Sequence, residues 1–182
     1  MNLCIDFDQT IVYNNLIAST SKELGYFYKH SDVRDWYFST FPRDFRVELY
    51  KRFEQSKYMV DNLTIINGVI DKLNQWKRDK HKIYIITARS EKIRKDTIKF
   101  ASSNFNMIDK LYFVDIGESK ENYWKKLKCD IWIDDNPNDI ESACKLNIKT
   151  YCINNKYTKY NNYLKLLKLN IDFVHSVADI NL

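Results

Sequence analysis

Apolar and polar positions along most of the chain predict strands separated by helices. Short apolar runs typical of buried strands cover residues 3–5, 83–86, 110–114, 131–133 and 149–153, and a shorter one covers 172–174. Amphipathic stretches typical of helices lie at residues 69–80, 91–102, 121–127 and 139–146. Strands that alternate with helices of this length predict an α/β fold, a doubly wound parallel sheet with helices on both faces.

Residues 11–66 interrupt this alternation. We predict one helix over residues 11–31 with a stop near Gly25, and a second helix that Pro42 opens. The segment is also dense in aromatic residues. We therefore predict two parts: a small helical cap of residues 11–66, inserted after the first strand, and a core of residues 1–10 and 67–182. A further helix is expected in the tail from Tyr157.

The composition is that of a globular protein with reduced cysteines. Of the 182 residues, 45% are hydrophobic and 29% charged, and the formal net charge of +5 suits a phosphate-bearing partner. No lysine run is dense enough to indicate a nucleic-acid arm. No C-x-x-C pair or zinc spacing occurs, so we expect structural thiols at Cys4, Cys129, Cys144 and Cys152. No signal-peptide pattern or membrane-length apolar run occurs, so we expect a cytoplasmic protein without membrane contact.

Carboxylates directly follow two of the predicted strands. Asp6 and Asp8 come two residues apart, so continued strand geometry would point both to one face. Asp134 and Asp135 follow the run at 131–133. Because the carboxyl ends of parallel strands meet at one edge, the four carboxylates converge there and require a hard cation such as Mg²⁺. For the first ten residues alone, the alternative is a polar turn that caps a helix near Thr10.

Two further residues complete a candidate phosphate site at this edge. Thr87 ends the run at 83–86, and the predicted helix N-terminus that follows it suits an anion. Lys120 precedes the helix at 121–127 and offers a cation, whereas its rivals Lys125 and Lys126 lie within that helix. We therefore prefer Lys120, for which a solvated loop charge is the alternative. The chain has only three glycines and no G-x-x-x-x-G-K-[ST] loop, so a nucleoside-triphosphate cradle is not expected.

Four segments, IDFDQT, YIITAR, GESK and IWIDDNP, resemble the four motifs of the haloacid dehalogenase superfamily, in the same order and over nearly the whole chain. The resemblance implies a Rossmann-like core and Mg²⁺-dependent phosphatase chemistry. It implies that Asp6 is the nucleophile that forms an aspartyl-phosphate, and that Asp8 is the general acid and then the base. Thr87 and Lys120 would hold the phosphoryl group. The implied metal ligands are Asp6, the carbonyl of Asp8, and Asp134 or Asp135.

A narrower resemblance, to the bacterial and viral 5'(3')-deoxyribonucleotidases, rests on DVRDWYF, YMVDNLTIINGVIDKLNQW and IDDNP…INNKY. It implies a nucleoside monophosphate as substrate and cap aromatics that enclose the base. The candidates for base contact are Trp36, Phe45, Tyr58 and Met59, and packing within the cap is the alternative for each aromatic. Arg89 is a candidate for contact with the phosphate or the sugar. Gln9, Thr10 and TAR depart from the Gly, Val and T-S-P of this group, which bears on the preference for pyrimidine deoxynucleotides.

Three other functions fit the same residues. A 3'-phosphatase acting on nucleic-acid ends would need a basic groove beside the cap, and a small cap over the site argues against a long polymer. A phosphatase of small metabolites is the second alternative. The third, a catalytically inactive nucleotide-binding module, is disfavoured by the intact acidic residues and Lys120. We expect a monomer or a homodimer.

Overall fold

Strands and helices alternate in the computed structural model, which describes residues 1–115, 117–155 and 158–182. The described strands are β1 (Asn2–Ile5), β2 (Val12–Tyr13), β3 (Thr64–Ile65), β4 (Lys82–Thr87), β5 (Lys110–Phe113), β6 (Ile131–Asp134), β7 (Lys149–Ile153) and β8 (Ile171–Val174). The described helices are α1 (Leu16–Leu24), α2 (Arg43–Arg52), α3 (Ser56–Met59), α4 (Val69–Arg78), α5 (Arg94–Asn104), α6 (Glu121–Leu127) and α7 (Pro137–Lys145). None of these helices combines the length and the apolar content that crossing a bilayer requires.

Six of the described strands form one sheet in which every neighbouring pair is parallel. The strand order is β5-β4-β1-β6-β7-β8, so the chain builds the sheet first to one side of β1 and then to the other. Cys4 of β1 pairs with Tyr84 on one side and with Trp132 on the other. This arrangement confirms the predicted α/β class and the doubly wound parallel sheet. Ligands bind such sheets at the carboxyl ends of the strands, where the winding reverses.

Both faces of the sheet are covered by apolar side chains. Leu3 and Ile5 of β1 belong to a buried cluster that includes Trp76 of α4. Cys4, between them, belongs to a second cluster that includes Trp124 of α6. A strand that is buried on both faces reads as a continuous apolar run, which is why the strands were visible in the sequence.

Residues 11–66, which lie between β1 and α4 and which we call the inserted segment, contribute most of one apolar cluster, which also includes Ile93 and Tyr160 from outside the segment. Its helices α1 and α2 pack against each other, and the cluster includes the fully buried Phe45 and Leu49. The segment begins and ends in one antiparallel pair, because Val12 of β2 lies opposite Ile65 of β3. The division into a cap and a core at residues 11 and 66 stays a prediction.

The predicted helix over residues 11–31 is wrong at its start, whereas the stop predicted near Gly25 is confirmed. Its first residues form β2, because Val12 and Tyr13 pair with β3. The helix α1 begins only at Leu16 and ends at Gly25, whose φ of 75° is the left-handed conformation that terminates helices. The helix predicted to open at Pro42 is confirmed, since α2 follows that residue directly.

The predicted strands of the sheet and the remaining predicted helices before the tail are confirmed, with shifted boundaries. The helix predicted at 139–146 begins earlier, at Pro137, because the Asn136 side chain caps its first turn. The helix predicted at 91–102 is a 3₁₀ turn, Glu91–Ile93, followed by α5. In the tail, Lys156 and Tyr157 lie outside the described residues. The expected tail helix is instead a 3₁₀ tract, Lys159–Leu166.

The four cysteines are free thiols, as the sequence predicts. Two of them, Cys4 and Cys152, are buried in the central strands. Burial raises the pKa of the Cys152 thiol, which keeps that thiol protonated and unreactive.

Candidate active site

The candidate site begins at Asp6, the residue that follows β1. Its amide donates to the carbonyl of Ile133 at 2.9 Å, so the pairing between β1 and β6 continues to this residue. The central strand of the sheet therefore delivers the Asp6 carboxylate to the carboxyl edge, where its side chain is only 10% exposed.

Lys120 joins the buried carboxylates at this edge. Its ammonium nitrogen lies 2.6 Å from Oδ1 of Asp6, 3.1 Å from Oδ2 of Asp134 and 3.0 Å from Oδ2 of Asp139. The ring of Trp132 also lies against it, with 4.7 Å between the nitrogen and the ring centroid. Lys120 is buried at the start of α6, so its charge is shared among these carboxylates rather than with solvent.

Asp134, the last residue of β6, shapes the turn that carries its neighbours. Its Oδ1 accepts hydrogen bonds from the amides of Asp135 at 2.7 Å and Asn136 at 2.9 Å. Its Oδ2 faces Lys120. The same side chain therefore sets the direction of the loop and contributes an oxygen to the acidic centre.

Two of the hydrogen bonds that hold Asp135 come from Tyr160 and Asn161, which lie outside all the motif segments. The phenol of Tyr160 donates to Oδ2 of Asp135 at 2.6 Å, and the Thr10 hydroxyl donates to Oδ1 at 3.4 Å. The side-chain amide of Asn161 donates to the backbone carbonyl of Asp135 at 2.6 Å and to that of Ile153 at 3.1 Å. The tail thus fixes both the carboxylate and the backbone of Asp135.

Burial disfavours the negative charge of these carboxylates. Desolvation raises the pKa of Asp6 to about 6, although the Lys120 ammonium works in the opposite direction. Desolvation, with repulsion from Asp6, raises the pKa of Asp135 to about 8, and desolvation also raises the pKa of Asp134 well above its usual value. Burial opposes the charge of Lys120 too, but Asp134, Asp6 and Asp139 outweigh it and raise the pKa of Lys120 well above its usual value. The centre therefore holds more acid groups than one ammonium can compensate.

Three of these carboxylates fit a divalent cation. Asp6, Asp134 and Asp135 are buried, and one oxygen from each lies within 4.8 Å of the others. Hard cations such as Mg²⁺ take oxygen ligands of this kind. A divalent ion would also supply the positive charge that the raised pKa values of these residues call for.

Asp8 lies beside this group and is held by other partners. Both of its carboxylate oxygens accept hydrogen bonds from the guanidinium of Arg89, at 2.7 and 2.8 Å. The side-chain amide of Asn14 also donates to Oδ1 of Asp8, at 3.2 Å. The Asp8 side chain remains 25% exposed, unlike the side chain of Asp6.

Thr87 ends β4, the strand that pairs with β1, and is buried. The predicted phosphate-binding residues Thr87 and Lys120 are therefore delivered by β4 and by the start of α6.

The four residues predicted to contact a base occupy different environments. Phe45 is fully buried in the inserted segment and packs edge-on against the stacked rings of Tyr26 and Tyr28, and Met59 is buried in the same cluster. Tyr58 is covered by the Arg52 guanidinium, 4.3 Å from its ring centroid, and its hydroxyl donates to Glu23 at 2.9 Å.

Trp36 differs from these residues because it packs edge-on against Tyr160, with 5.7 Å between the ring centroids. It is half-buried. Since Tyr160 binds Asp135 directly, Trp36 is the predicted base-contact residue that the structure links to the acidic centre.

Sequence reasoning missed Asp139 and Tyr160 as residues of the centre. Asp139 stands in the first turn of α7, five residues after Asp134, and its position at the start of a helix next to the acidic strand end was a usable signal. Tyr160 lies in a 3₁₀ tract of the tail, for which the sequence predicts only a helix, so no motif in the sequence points to its side chain.

Comparison with known proteins finds solved structures of the same fold. No family model and no curated protein matches the chain. Among solved structures, a phosphoglycolate phosphatase candidate from Lactobacillus delbrueckii subsp. bulgaricus superposes with a TM-score of 0.69 at 11% identity, over 97% of this chain and 94% of that one. A phosphonoacetaldehyde hydrolase-like protein from Oleispira antarctica superposes with a TM-score of 0.67 at 13% identity, over 98% of this chain and 88% of that one.

A predicted phosphoglycolate phosphatase from Haemophilus somnus 129pt gives a TM-score of 0.66 at 14% identity, over 97% of this chain and 94% of that one. A protein from Ehrlichia chaffeensis, described as a hydrolase of the haloacid dehalogenase superfamily, gives 0.52 at 19% identity, over 91% and 96%. Sequence identities this low show the fold alone. The chain shares the Rossmann-like α/β fold of these solved structures, one of which is described as a hydrolase of the haloacid dehalogenase superfamily.

Proposed function

We propose that this protein hydrolyses small phosphomonoesters through an aspartyl-phosphate on Asp6. The observation that carries the proposal is the position of Asp6: its carboxylate lies 2.6 Å from the Lys120 ammonium and within the group of three acids that fits a divalent cation. A carboxylate in such a place has both a counter-charge for the incoming phosphoryl group and a way to remain ionised.

In the first step, the Asp6 carboxylate attacks phosphorus and the bond from phosphorus to the leaving oxygen breaks. Asp8, in its acid form, gives its proton to that oxygen, so the product leaves as an alcohol. Asp8 is suited to this part because it lies two residues from Asp6 and its side chain is partly open to solvent.

In the second step, water attacks phosphorus and the bond from phosphorus to Asp6 breaks. Asp8, now a carboxylate, takes the proton of that water, which restores both residues and releases inorganic phosphate. We assign to Thr87 and Lys120 the binding of the phosphoryl oxygens during both steps. Mg²⁺, held by Asp6, Asp134 and Asp135, would neutralise negative charge on those oxygens when bound.

For the substrate, we propose a nucleoside monophosphate, with the inserted segment serving as the cap over the site. Support comes from Trp36, whose indole packs on Tyr160 next to the acidic centre and is not fully buried. An aromatic face at this position suits a base by stacking. Phe45 and Tyr58 give less support, since one is fully buried and the other is covered by Arg52.

A small phosphorylated carboxylic acid is the second candidate substrate. Two of the structural neighbours are described as phosphoglycolate phosphatases, and both superpose over 97% of this chain. A nucleotide and such an acid share the phosphomonoester and differ in the group that the inserted segment would contact.

The proposal is tested by phosphate release with Mg²⁺ from ribo- and deoxynucleoside 5'- and 3'-monophosphates, phosphoglycolate, sugar phosphates and a 3'-phosphorylated oligonucleotide. We expect turnover of at least one small ester and none by Asp6→Asn, which retains the shape of the side chain but not the nucleophile. Turnover by Asp6→Asn at the wild-type rate would contradict the covalent route.

The substrate class is tested by Trp36→Ala, with Tyr37→Ala as the matched control because Tyr37 is the adjacent aromatic residue and is 65% exposed. We expect Trp36→Ala to raise KM for a nucleotide more than KM for p-nitrophenyl phosphate, and Tyr37→Ala to leave both unchanged. Equal effects of Trp36→Ala on both substrates would contradict stacking of the base.

A further inference from the structure

The guanidinium of Arg89 is occupied by protein groups at all three nitrogens. Nε and one terminal nitrogen donate to the two carboxylate oxygens of Asp8, at 2.8 and 2.7 Å. The other terminal nitrogen donates to Oγ1 of Thr97 at 3.1 Å. The central carbon lies 4.7 Å from the centroid of the Phe7 ring. The planar fork with which a guanidinium binds a phosphate or a carboxylate is therefore already filled by Asp8.

In this ion pair the Arg89 side chain is buried, whereas the Asp8 carboxylate is partly exposed to solvent. The Arg89 side chain is 2% exposed and that of Asp8 is 25% exposed, so the guanidinium lies on the protein side of the pair. Thr97, which holds Arg89, donates its own hydroxyl proton to the carbonyl of Ile93 at 2.9 Å and is anchored to α5. A chain of fixed contacts thus runs from α5 through Arg89 to Asp8.

We propose that Arg89 is a positioning residue for Asp8, in place of the contact with phosphate or sugar that the sequence suggests. This inference rests on the proposed function, in which Asp8 transfers protons. Two parallel hydrogen bonds fix both the place and the plane of the Asp8 carboxylate, so each proton transfer starts from one geometry. Thr97, which belongs to none of the motif segments, then acts on Asp8 through Arg89.

The proposal is tested with Arg89→Met and Arg89→Lys on the full chain, with Arg78→Met as a control at an exposed arginine of α4. We expect kcat to fall roughly 10- to 100-fold in both Arg89 variants, a part of the range that proton transfer supplies. Lysine keeps the charge but loses the fork, so it should not restore the rate. We expect KM and the inhibition constant for inorganic phosphate to stay within about twofold of wild type.

Thr97→Val provides a second test at a distance from the phosphoryl site. It removes the hydroxyl oxygen that accepts a hydrogen bond from Arg89. We expect a smaller loss of kcat than in the Arg89 variants, and an inhibition constant for phosphate that again stays unchanged. Thr97→Val carries the test alone if Arg89→Met lowers the melting temperature too far for assay. A rate equal to wild type in both Thr97→Val and Arg89→Lys would overturn the proposal.

A double variant separates positioning from phosphate contact. If Arg89 acts through Asp8, then Arg89→Met should cause no further loss of kcat/KM in an Asp8→Asn background, measured with p-nitrophenyl phosphate. A further loss there, or weaker inhibition by phosphate in the single variant, would overturn the inference and leave the phosphatase proposal standing. Absence of phosphate release by the wild-type protein from every ester would instead overturn the proposed function.

Discussion

The Tyr160 phenol donates a 2.6 Å hydrogen bond to Oδ2 of Asp135, and both residues are buried. Burial, together with the nearby Asp135, raises the pKa of Tyr160 well above its usual value, so the phenol remains a donor at any physiological pH. Asp135 belongs to the three acids that fit a divalent cation. A side chain from the tail therefore orients one of the candidate metal ligands.

We expect Tyr160→Phe to weaken Mg²⁺ activation roughly 10-fold or more, because partners that orient metal ligands commonly contribute 10- to 100-fold to affinity. The measurement is a Mg²⁺ titration of phosphate release. Tyr163→Phe is the matched control, since Tyr163 lies in the same tract, is 42% exposed and binds Glu141 instead. An unchanged Mg²⁺ requirement in Tyr160→Phe would mean that Asp135 needs no orientation from the tail.

Replacing Lys120 with methionine should damage both activity and stability. The change leaves Asp6, Asp134 and Asp139 without their shared cation, and breaking a buried ion pair from one side costs about 3–5 kcal/mol. We expect a fall in kcat/KM of at least about 100-fold and a lower melting temperature of the metal-free protein. Lys126→Met, at an exposed rival position in α6, should change neither value. Equal behaviour of the two variants would argue against Lys120 as the phosphoryl-binding cation.

The raised pKa values of Asp6 and Asp135, about 6 and about 8, predict how stability depends on pH. The folded protein keeps these protons where the unfolded chain, with carboxyl pKa values of 3.8, has released them. Their contribution is therefore complete below about pH 4 and is lost as the pH rises through 6 and then 8. With a chelator, we expect the melting temperature to fall by about 4 °C or more between pH 5 and pH 9.

Saturating Mg²⁺ should reduce this fall of the melting temperature. Once the carboxylates have lost their protons, the bound cation compensates their negative charge. Asp135→Asn should also reduce the fall in the presence of chelator, since the amide does not titrate. The measurement is differential scanning calorimetry at several pH values with and without Mg²⁺. A melting temperature of the metal-free protein that rises from pH 5 to pH 9 would contradict this account of the acidic centre.

Phe45→Ala should act on stability. Its ring is fully buried among Tyr26, Tyr28 and Phe41, and removal of a buried phenylalanine side chain costs about 3–5 kcal/mol. We expect lower stability in urea, with KM for nucleotides unchanged under conditions where the variant is folded. Tyr50→Ala, at a half-exposed aromatic of the same helix, is the control. A raised KM without loss of stability would favour the base contact that the sequence suggests for Phe45.

The parts of the fold and site that could be predicted are those that depend on local pattern and strand order. Asp6, Thr87 and Asp134 follow or end apolar runs, and a parallel sheet brings such ends together whatever the loops do. Lys120 could be chosen because it stands just before a helix rather than within it. The same reasoning failed at Val12 and Tyr13, the start of the helix predicted over residues 11–31, where pairing between β2 and β3 outweighs local helical preference.

Contacts between distant, irregular parts of the chain could not be predicted. Tyr160, which binds Asp135, lies 25 residues away in the 3₁₀ tract of the tail and belongs to no motif segment. The partner of Asp8 is 81 residues away, and its sequence context fits a phosphate ligand equally well. Pairs such as Asp135–Tyr160 and Asp8–Arg89 form because whole helices and strands pack together, and no short segment of sequence encodes that packing.

The antiparallel pair of β2 and β3 brings the two ends of the inserted segment together. Tyr13 and Thr64 are partners in that pair, so the chain enters and leaves the inserted segment at neighbouring positions. A tight hairpin that joined those two residues would remove the inserted segment and leave the order of β1, β4 and β6 in the sheet unchanged. Under the proposed function, the residues that break the ester bond and those that would select the ester lie on separate stretches of the backbone, and the β2–β3 pair joins the two.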